Sequence, residues 1–274
     1  MPFTGDDDTG SVAVGDVNGD GHLDLVSGNG WYSRGQQNRV YLNDGYGNFP
    51  QTLGRPFGTG TDFTAQVALG DINGDGYLDL VTGNKYEQSR VYLNDGQGNF
   101  PQALGHPFGM AAGEIERLAV GDLNGDGRLD LISGNRDGGH LVYLNDGLGN
   151  FPQAQRRSFG KDTIDNDMAL GDLDGDGDLD LVTANWNQAA IYLNDGAGNF
   201  AFNRLVATDI GANCVAVADM NGDGTLDLIT GARQNAIYLN DGKGNFPSAK
   251  RYLLQTGNKL ALSLAVGDVN SDGA

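Results

Sequence analysis

Short apolar runs recur along the whole chain and alternate with segments rich in Gly, Asn and Asp. Within each unit the first run reads like SVAVGD from Ser11, the second like LDLVSGN from Leu23 and the third like RVYLNDG from Arg39. The runs are rich in Val, Ile, Leu and Tyr, and no segment repeats its apolar residues at a helical period. Runs of this length and composition, bounded by turn residues, predict β-strands. The pattern therefore predicts an all-β protein.

A nine-residue acidic segment follows each first run. Complete copies begin at Asp16, Asp71, Asp122, Asp172 and Asp219, and a truncated sixth copy begins at Asp268. A spacing of about 50 residues suits one four-stranded propeller blade. We therefore expect a β-propeller of four-stranded antiparallel blades, with five complete sequence repeats and the start of a sixth. The acidic loop would join strands one and two, and the Asn-Asp-Gly turn would join strands three and four.

The repeats predict one propeller domain over residues 1–274, because a blade buries its faces only against its neighbours. The predicted repeats cover residues 11–65, 66–116, 117–166, 167–212 and 213–259, with a partial repeat at 260–274. The last repeat stops inside its loop, which favours a chain that is part of a longer protein. In the alternatives, the spare strand completes a blade or pairs with another copy through an unpaired blade edge.

The acidic loop carries oxygen ligands at alternate positions around a tight glycine turn, as calcium requires. Positions 1, 3, 5 and 9 supply side chains, and position 7 supplies its backbone carbonyl. An EF-hand would need Glu at position 12, where this chain has Ser or Thr, and zinc is disfavoured by 3 His and 1 Cys. We expect about one Ca²⁺ per complete repeat. The predicted ligands are Asp16, Asn18, Asp20, His22, Asp24, Asp71, Asn73, Asp75, Tyr77, Asp79, Asp122, Asn124, Asp126, Arg128, Asp130, Asp172, Asp174, Asp176, Asp178, Asp180, Asp219, Asn221, Asp223, Thr225 and Asp227.

The charge of the chain fits this interpretation. The formal net charge is −19, from 36 acidic and 17 basic residues, and the loops hold much of the acidity. The low pI therefore does not argue for a basic partner, and nucleic acid binding is not expected. Calcium would brace each blade, so chelation should destabilise the fold. No apolar stretch is long enough to span a membrane.

The DxNGDGxLDL loop, the YLNDGxGNF hairpin and the Phe-Gly pairs at Phe57, Phe108 and Phe159 resemble FG-GAP or VCBS repeats, the repeats of integrin α-subunit-like propellers. The resemblance covers residues 11–274, although Asp209-Ile210-Gly211, at the end of the fourth repeat, stands where Phe-Gly is expected. It implies calcium loops on one rim, ligand-binding loops on the other, and a secreted or cell-surface setting. It also implies a binding module, as in adhesion proteins and lectins.

The second-to-third-strand loops differ between repeats and place aromatic residues beside amide and charged side chains. Such surroundings suit sugars, which have an apolar face and hydroxyl edges. The alternative is that the tryptophans pack between blades. The candidate ligand-binding residues are Trp31, Tyr32, Tyr86 and Trp186.

The motifs of common enzymes are missing from the sequence, so we expect a binding module and not an enzyme. We expect it to recognise a glycan, or else an extracellular protein. The alternatives are a non-catalytic domain of a larger secreted carbohydrate-active enzyme, or a self-assembling structural or adhesion protein. The single cysteine, Cys214, is expected to be a buried apolar residue.

Overall fold

The computed structural model describes residues 7–30, 35–50, 54–101, 105–109, 114–136, 139–152, 155–160, 166–185, 188–206, 212–247, 250–254 and 260–267. In these ranges the chain forms twenty strands and no α-helix. The strands make five four-stranded antiparallel sheets, each built from four consecutive strands. The predicted all-β fold with four strands per blade is confirmed.

The strands follow the repeats of the sequence. Sheet 1 contains β1 (Thr9–Gly15), β2 (Asp24–Asn29), β3 (Gln36–Tyr41) and β4 (Arg55–Asp62). Sheet 2 contains β5 (Thr64–Gly70), β6 (Asp79–Asn84), β7 (Ser89–Tyr92) and β8 (Gly105–Phe108). Sheet 3 contains β9 (Ile115–Gly121), β10 (Asp130–Asn135), β11 (His140–Tyr143) and β12 (Arg157–Phe159). Sheet 4 contains β13 (Asp167–Gly171), β14 (Asp180–Asn185), β15 (Gln188–Asn194) and β16 (Phe200–Val206). Sheet 5 contains β17 (Cys214–Ala218), β18 (Asp227–Gly231), β19 (Asn235–Tyr238) and β20 (Arg251–Leu254).

The chain divides into two compact units. The first unit comprises residues 1–120 and 127–158, and the second comprises residues 121–126 and 159–274. In the first unit, apolar clusters lie between sheets 1 and 2 and between sheets 2 and 3. In the second unit, one cluster lies between sheets 4 and 5 and includes the strand residues Val182, Ile191 and Leu228. Burial between sheets explains why second strands such as β6 are buried along their whole length.

The glycine that ends a first strand leaves room for the next sheet. A methyl group on Gly15 would lie 2.7 Å from Leu78 Cδ1 and 3.0 Å from Leu69 Cδ1. In the second unit, a methyl group on Gly171 would lie 2.6 Å from Leu226 Cδ1 and 3.0 Å from Val217 Cγ2. Any side chain there would have to displace a packed neighbour. The first-strand glycine is therefore a packing position.

The phenylalanine of each Phe-Gly pair lies on a fourth strand and contacts a tyrosine on the third strand of the following sheet. The two rings meet edge to face, which is a favourable aromatic geometry. The pairs are Phe57 with Tyr92 at 5.8 Å, Phe108 with Tyr143 at 5.5 Å, and Phe159 with Tyr192 at 5.2 Å between ring centroids. The Phe-Gly signature is thus a contact between neighbouring sheets.

Candidate metal loops and the opposite rim

The acidic loops join the first and second strands, as predicted, and their first aspartate organises the turn. Asp16 accepts the backbone N–H groups of Gly19 and Gly21, both at 2.8 Å. Gly19 and Gly21 have φ angles of 73° and 85°, a region that glycine adopts without strain. The same bonds recur from Asp71 and Asp219. Position 1 therefore faces into the loop.

Positions 3 and 5 are tied together in the loops that carry Asn at position 3. Asn18 Nδ2 donates to Asp20 Oδ2 at 2.9 Å, and the N–H of His22 donates to Asp20 Oδ1 at 2.9 Å. Both bonds lower the pKa of Asp20, and the bond from Asn18 has the larger effect. Asn73 and Asp75 make the same side-chain bond at 2.9 Å. In these loops the asparagine at position 3 therefore fixes the carboxylate at position 5 by a hydrogen bond.

The fourth loop differs because position 3 is Asp174. Carboxylate oxygens of Asp172, Asp174 and Asp176 lie within 4.8 Å of one another. Asp174 cannot donate as asparagine does, and its Oδ1 is buried without a hydrogen-bond partner. Burial, and then the charge of Asp176, raise the pKa of Asp174. Three carboxylates therefore converge here with one oxygen unsatisfied, an arrangement that a cation would relieve.

Position 9 is buried beneath the loop at the start of each second strand. Asp79 Oδ2 accepts the N–H of Ile72 at 2.9 Å, and Asp79 Oδ1 accepts the N–H of Asn94 at 2.8 Å. Burial raises the pKa of Asp79 to about 6, against the opposing effect of these bonds. Burial likewise raises the pKa of Asp180 to about 6. Position 9 thus links the loop to the hairpin, and its direct contact with metal stays a prediction.

Position 7, predicted to offer its carbonyl, packs its side chain over the first glycine of the hairpin in the same sheet. Each such glycine has a positive φ angle and lacks the Cβ that would collide with this side chain. The pairs are His22 with Gly45, Tyr77 with Gly96, Arg128 with Gly147, Asp178 with Gly196, and Thr225 with Gly242. Loop and hairpin therefore form one rim together.

The donors of this rim fit calcium. They are carboxylate, amide and carbonyl oxygens, with no His or Cys donor set among the described residues. Positions 1, 3 and 5 would hold the ion with the carbonyl of position 7, and the ion would supply positive charge where acidic side chains crowd together. Its contribution would be structural.

The opposite rim carries the second-to-third-strand loops, because strand direction alternates in each sheet. Of the four predicted ligand-binding residues, Trp31, Tyr32 and Trp186 lie outside the described residues. Tyr86 is 53% exposed, and its ring meets Phe63 edge to face at 5.1 Å and 82°. Tyr86 is therefore an exposed aromatic residue held by a neighbour and not part of the core.

Two ion pairs lie near Tyr86 on this rim, since Lys85 precedes Tyr86 in the chain and Arg136 is close enough to interact with it electrostatically. Lys85 Nζ lies 3.6 Å from Glu116 Oε1, and Arg136 Nη1 lies 3.3 Å from Glu114 Oε2. Lys85 follows β6 of sheet 2 and pairs with Glu116 on β9 of sheet 3. Glu114 precedes β9, and Arg136 follows β10. The surface around Tyr86 therefore offers charged groups of both signs.

A pair of carboxyl groups on the same rim was not found from the sequence. Asp62, at the end of β4, is buried and accepts the N–H of Thr59 at 2.8 Å. Burial, then a hydrogen bond with Asp62 and the charge of Asp62, raise the pKa of Glu87 to about 7. The two residues are 25 positions apart in variable loops, and no motif in the sequence connects them.

Repeated four-stranded sheets with acidic first loops define this chain as a β-propeller repeat protein. The FG-GAP-like repeat family matches residues 16–82, 71–133, 122–183 and 172–230, and the chain belongs to that family. The predicted FG-GAP and integrin α-like assignment is confirmed. No helix in the described part of the chain is long and apolar enough to cross a membrane.

Similar proteins include integrin alpha-IIb and a lectin. Integrin alpha-IIb of Mus musculus and of Homo sapiens are each 35% identical over 148 residues, which is 45% of this chain and 14% of the integrin chain. An Agrocybe aegerita lectin, described for specific recognition of non-reducing terminal N-acetylglucosamine, has 25% identity and a TM-score of 0.62 over 93% of this chain and 67% of its own. The V. cholerae biofilm matrix protein Bap1 shares the fold, with 18% identity and a TM-score of 0.50 over 86% of this chain and 38% of its own.

Proposed function

We propose that this chain is a calcium-stabilised, non-enzymatic extracellular binding module that recognises glycans through the rim opposite the acidic loops. The observation that carries the proposal is the likeness to a sugar-binding lectin over 93% of the chain, combined with an exposed, anchored Tyr86 on that rim. A tyrosine ring presents an apolar face on which a pyranose ring can stack, and charged neighbouring side chains can form hydrogen bonds with the hydroxyl groups of the sugar. Glycans with terminal N-acetylglucosamine are the first class to test.

The glycan proposal is tested on a glycan array with the purified protein in calcium. Binding should fall at least tenfold in Tyr86→Ala, because the stacking face is lost. Tyr46→Ala is the matched control, because Tyr46 is 90% exposed on the hairpin side, among the acidic loops. Equal losses in both variants, or no glycan bound by folded protein, would contradict the proposal.

The calcium proposal is tested separately by titrating metal-free protein with Ca²⁺ in a calorimeter and by melting it with and without chelator. We expect about one ion per complete repeat, and a lower Tm in chelator because the carboxylates then repel one another. Magnesium should substitute poorly, since it prefers octahedral sites with retained waters. An unchanged Tm in chelator would refute the stabilising role of calcium without touching the glycan proposal.

A protein ligand is the second candidate. The 35% identity with integrin alpha-IIb over 148 residues and the two ion pairs beside Tyr86 favour it. Charged rims contribute to protein interfaces mainly through specificity and association rate. Binding of an extracellular protein partner that depends on Arg136 and persists without any glycan would favour this candidate.

A further inference from the structure

Asp62 and Glu87 bring two carboxyl groups together between sheets 1 and 2. Asp62 ends β4 and is 2% exposed, whereas Glu87 is half-buried in the connection from β6 to β7. The two side chains share a hydrogen bond, and both belong to the first compact unit. Two carboxyl groups this close cannot both be ionised without strong repulsion. The pair must therefore hold either a proton or a cation.

The negative charge of the pair is not balanced by an ion pair in the described part of the chain. Arg90 is the basic residue that interacts electrostatically with Glu87. Among the described contacts, however, Arg90 Nη1 donates to the carbonyl of Gly105 at 3.2 Å and to neither carboxyl group. A cation at the pair would therefore displace no existing ion pair of these two residues.

The turn before Asp62 fixes its carboxylate. Thr59 donates to both carboxylate oxygens, its N–H to Oδ2 at 2.8 Å and its hydroxyl to Oδ1. Gly58 and Gly60 have φ angles of 80° and 83°, so the turn depends on glycine. A methyl group on Gly58 would collide with Asp62 Oδ2. The carboxylate of Asp62 thus lies against Gly58, the glycine of the first Phe-Gly pair.

A third oxygen lies at the same glycine. In sheet 3 the hydroxyl of Tyr143 lies 3.5 Å from a methyl group placed on Gly109, the glycine of the second Phe-Gly pair. Tyr92 takes the same position at the first pair, because each tyrosine ring contacts the phenylalanine of its pair edge to face. The repeat therefore places the hydroxyl of Tyr92 at Gly58, beside the carboxylate of Asp62.

The hydroxyl of Tyr92 has no hydrogen-bond partner, although Tyr92 is 0% exposed. The hydroxyl of Tyr143 bonds Ser133. In sheet 2 that position is Thr82, whose hydroxyl donates to a backbone carbonyl of β7 at 3.3 Å instead. Burial, and then the charge of Asp62, raise the pKa of Tyr92, so the hydroxyl stays neutral within electrostatic reach of the pair. A buried hydroxyl without a partner is unfavourable, and it points to a ligand at this place.

We propose that Asp62, Glu87 and Tyr92 bind one Ca²⁺ between sheets 1 and 2, outside the acidic loops. The two carboxylates supply negative charge and the hydroxyl supplies a neutral oxygen, which together suit a hard cation. Calcium accepts the irregular geometry of ligands from three separate elements better than magnesium does. The ion lets both carboxyl groups ionise and gives the tyrosine hydroxyl a partner. Each acidic loop lies within one sheet, whereas this ion joins two.

Equilibrium dialysis of metal-free protein against Ca²⁺ tests the proposal by counting bound ions. The titration should reach about 10 mM, because weak protein sites have Kd values on the order of 10⁻⁴–10⁻³ M. Glu87→Gln should bind one ion fewer than the wild type. Glu114→Gln is the matched control, since Glu114 pairs with Arg136 on the same rim, and it should bind as many ions as the wild type.

Tyr92→Phe tests the third ligand, because it removes the hydroxyl and keeps the ring that contacts Phe57. This variant should bind the additional ion roughly fivefold more weakly, with the affinities of the other ions unchanged. Thermal melting without calcium verifies that each variant is folded. An unchanged affinity in Tyr92→Phe would overturn the proposal.

The count separates this site from the acidic loops. If the loops bind no calcium, the wild type should still bind one ion and Glu87→Gln none. If the loops bind calcium as proposed, the difference between these two proteins should again be one ion. The same number of ions in folded Glu87→Gln and in the wild type would overturn the proposal in either case.

Discussion

The side-chain amide of Asn94 donates a 2.7 Å hydrogen bond to the carbonyl of Val17, which lies in the acidic loop of the preceding sheet. The equivalent bonds join Asn145 to Ile72 at 2.7 Å and Asn240 to Leu173 at 2.7 Å. Each asparagine also accepts hairpin N–H groups, as Asn94 Oδ1 does from Gly96 and Gly98. One side chain thus fixes its own hairpin and the loop of its neighbour.

We predict that Asn94→Ala lowers the free energy of unfolding by about 1–3 kcal/mol, because it leaves the buried bonding groups unpaired. Asn43→Ala is the matched control, since Asn43 also caps its hairpin but its side-chain amide donates to Leu23 of its own sheet and, among the described contacts, to no loop of another sheet. The control should lose about 1 kcal/mol less. Denaturant unfolding measures the free energy of unfolding of both variants. Equal losses would show that Asn94 stabilises the protein only through the hydrogen bonds of its own hairpin.

A second prediction concerns the first-strand glycines. Gly15→Ala should destabilise the protein by about 1–3 kcal/mol, because its methyl group would lie 2.7 Å from Leu78 Cδ1 in a packed core. Gly267 occupies the same repeat position, but no described atom lies within 4 Å of a methyl group added there, so Gly267→Ala should be near neutral. Thermal unfolding of both variants checks this. An unchanged Tm in Gly15→Ala would mean that Leu69 and Leu78 move to accommodate the methyl group without loss of stability.

The third prediction uses the one loop that carries a third carboxylate at position 3. Asp174→Asn should weaken calcium binding at that loop on the order of tenfold, since a charged ligand is lost. The same change should raise the Tm of the metal-free protein, because Asp172, Asp174 and Asp176 crowd together. The reverse change, Asn73→Asp, should lower the metal-free Tm. Calorimetry measures the calcium affinity, and melting in chelator measures the Tm of the metal-free protein. A lower metal-free Tm in Asp174→Asn, or a higher one in Asn73→Asp, would refute the argument from carboxylate repulsion.

The parts of the fold that depend on local chemistry were predictable from the sequence. Apolar runs predicted strands such as β1 and β6, and the DVNGDGHLD pattern predicted the loop that joins β1 to β2. Cys214 is buried and unpaired with another cysteine, as expected. The cross-sheet role of Asn94 was missed, because Asn-Asp-Gly already explains a hairpin turn by itself. The contact with Val17 spans 77 residues and arises only when two sheets pack.

The final prediction concerns pH and Glu87, whose pKa is raised to about 7 by burial and by Asp62. The unfolded carboxyl has its ordinary pKa, so the folded state binds the extra proton between about pH 4.5 and 7. The free energy of unfolding should therefore fall as pH rises through this window, and Glu87→Gln should remove that decrease. Relative to the wild type, the variant should be more stable at about pH 8 than at about pH 4. Glu114→Gln, which loses its ion pair with Arg136, should gain no stability at the higher pH. Urea unfolding across this range measures the slopes, and parallel curves for Glu87→Gln and the wild type would show that Glu87 titrates normally.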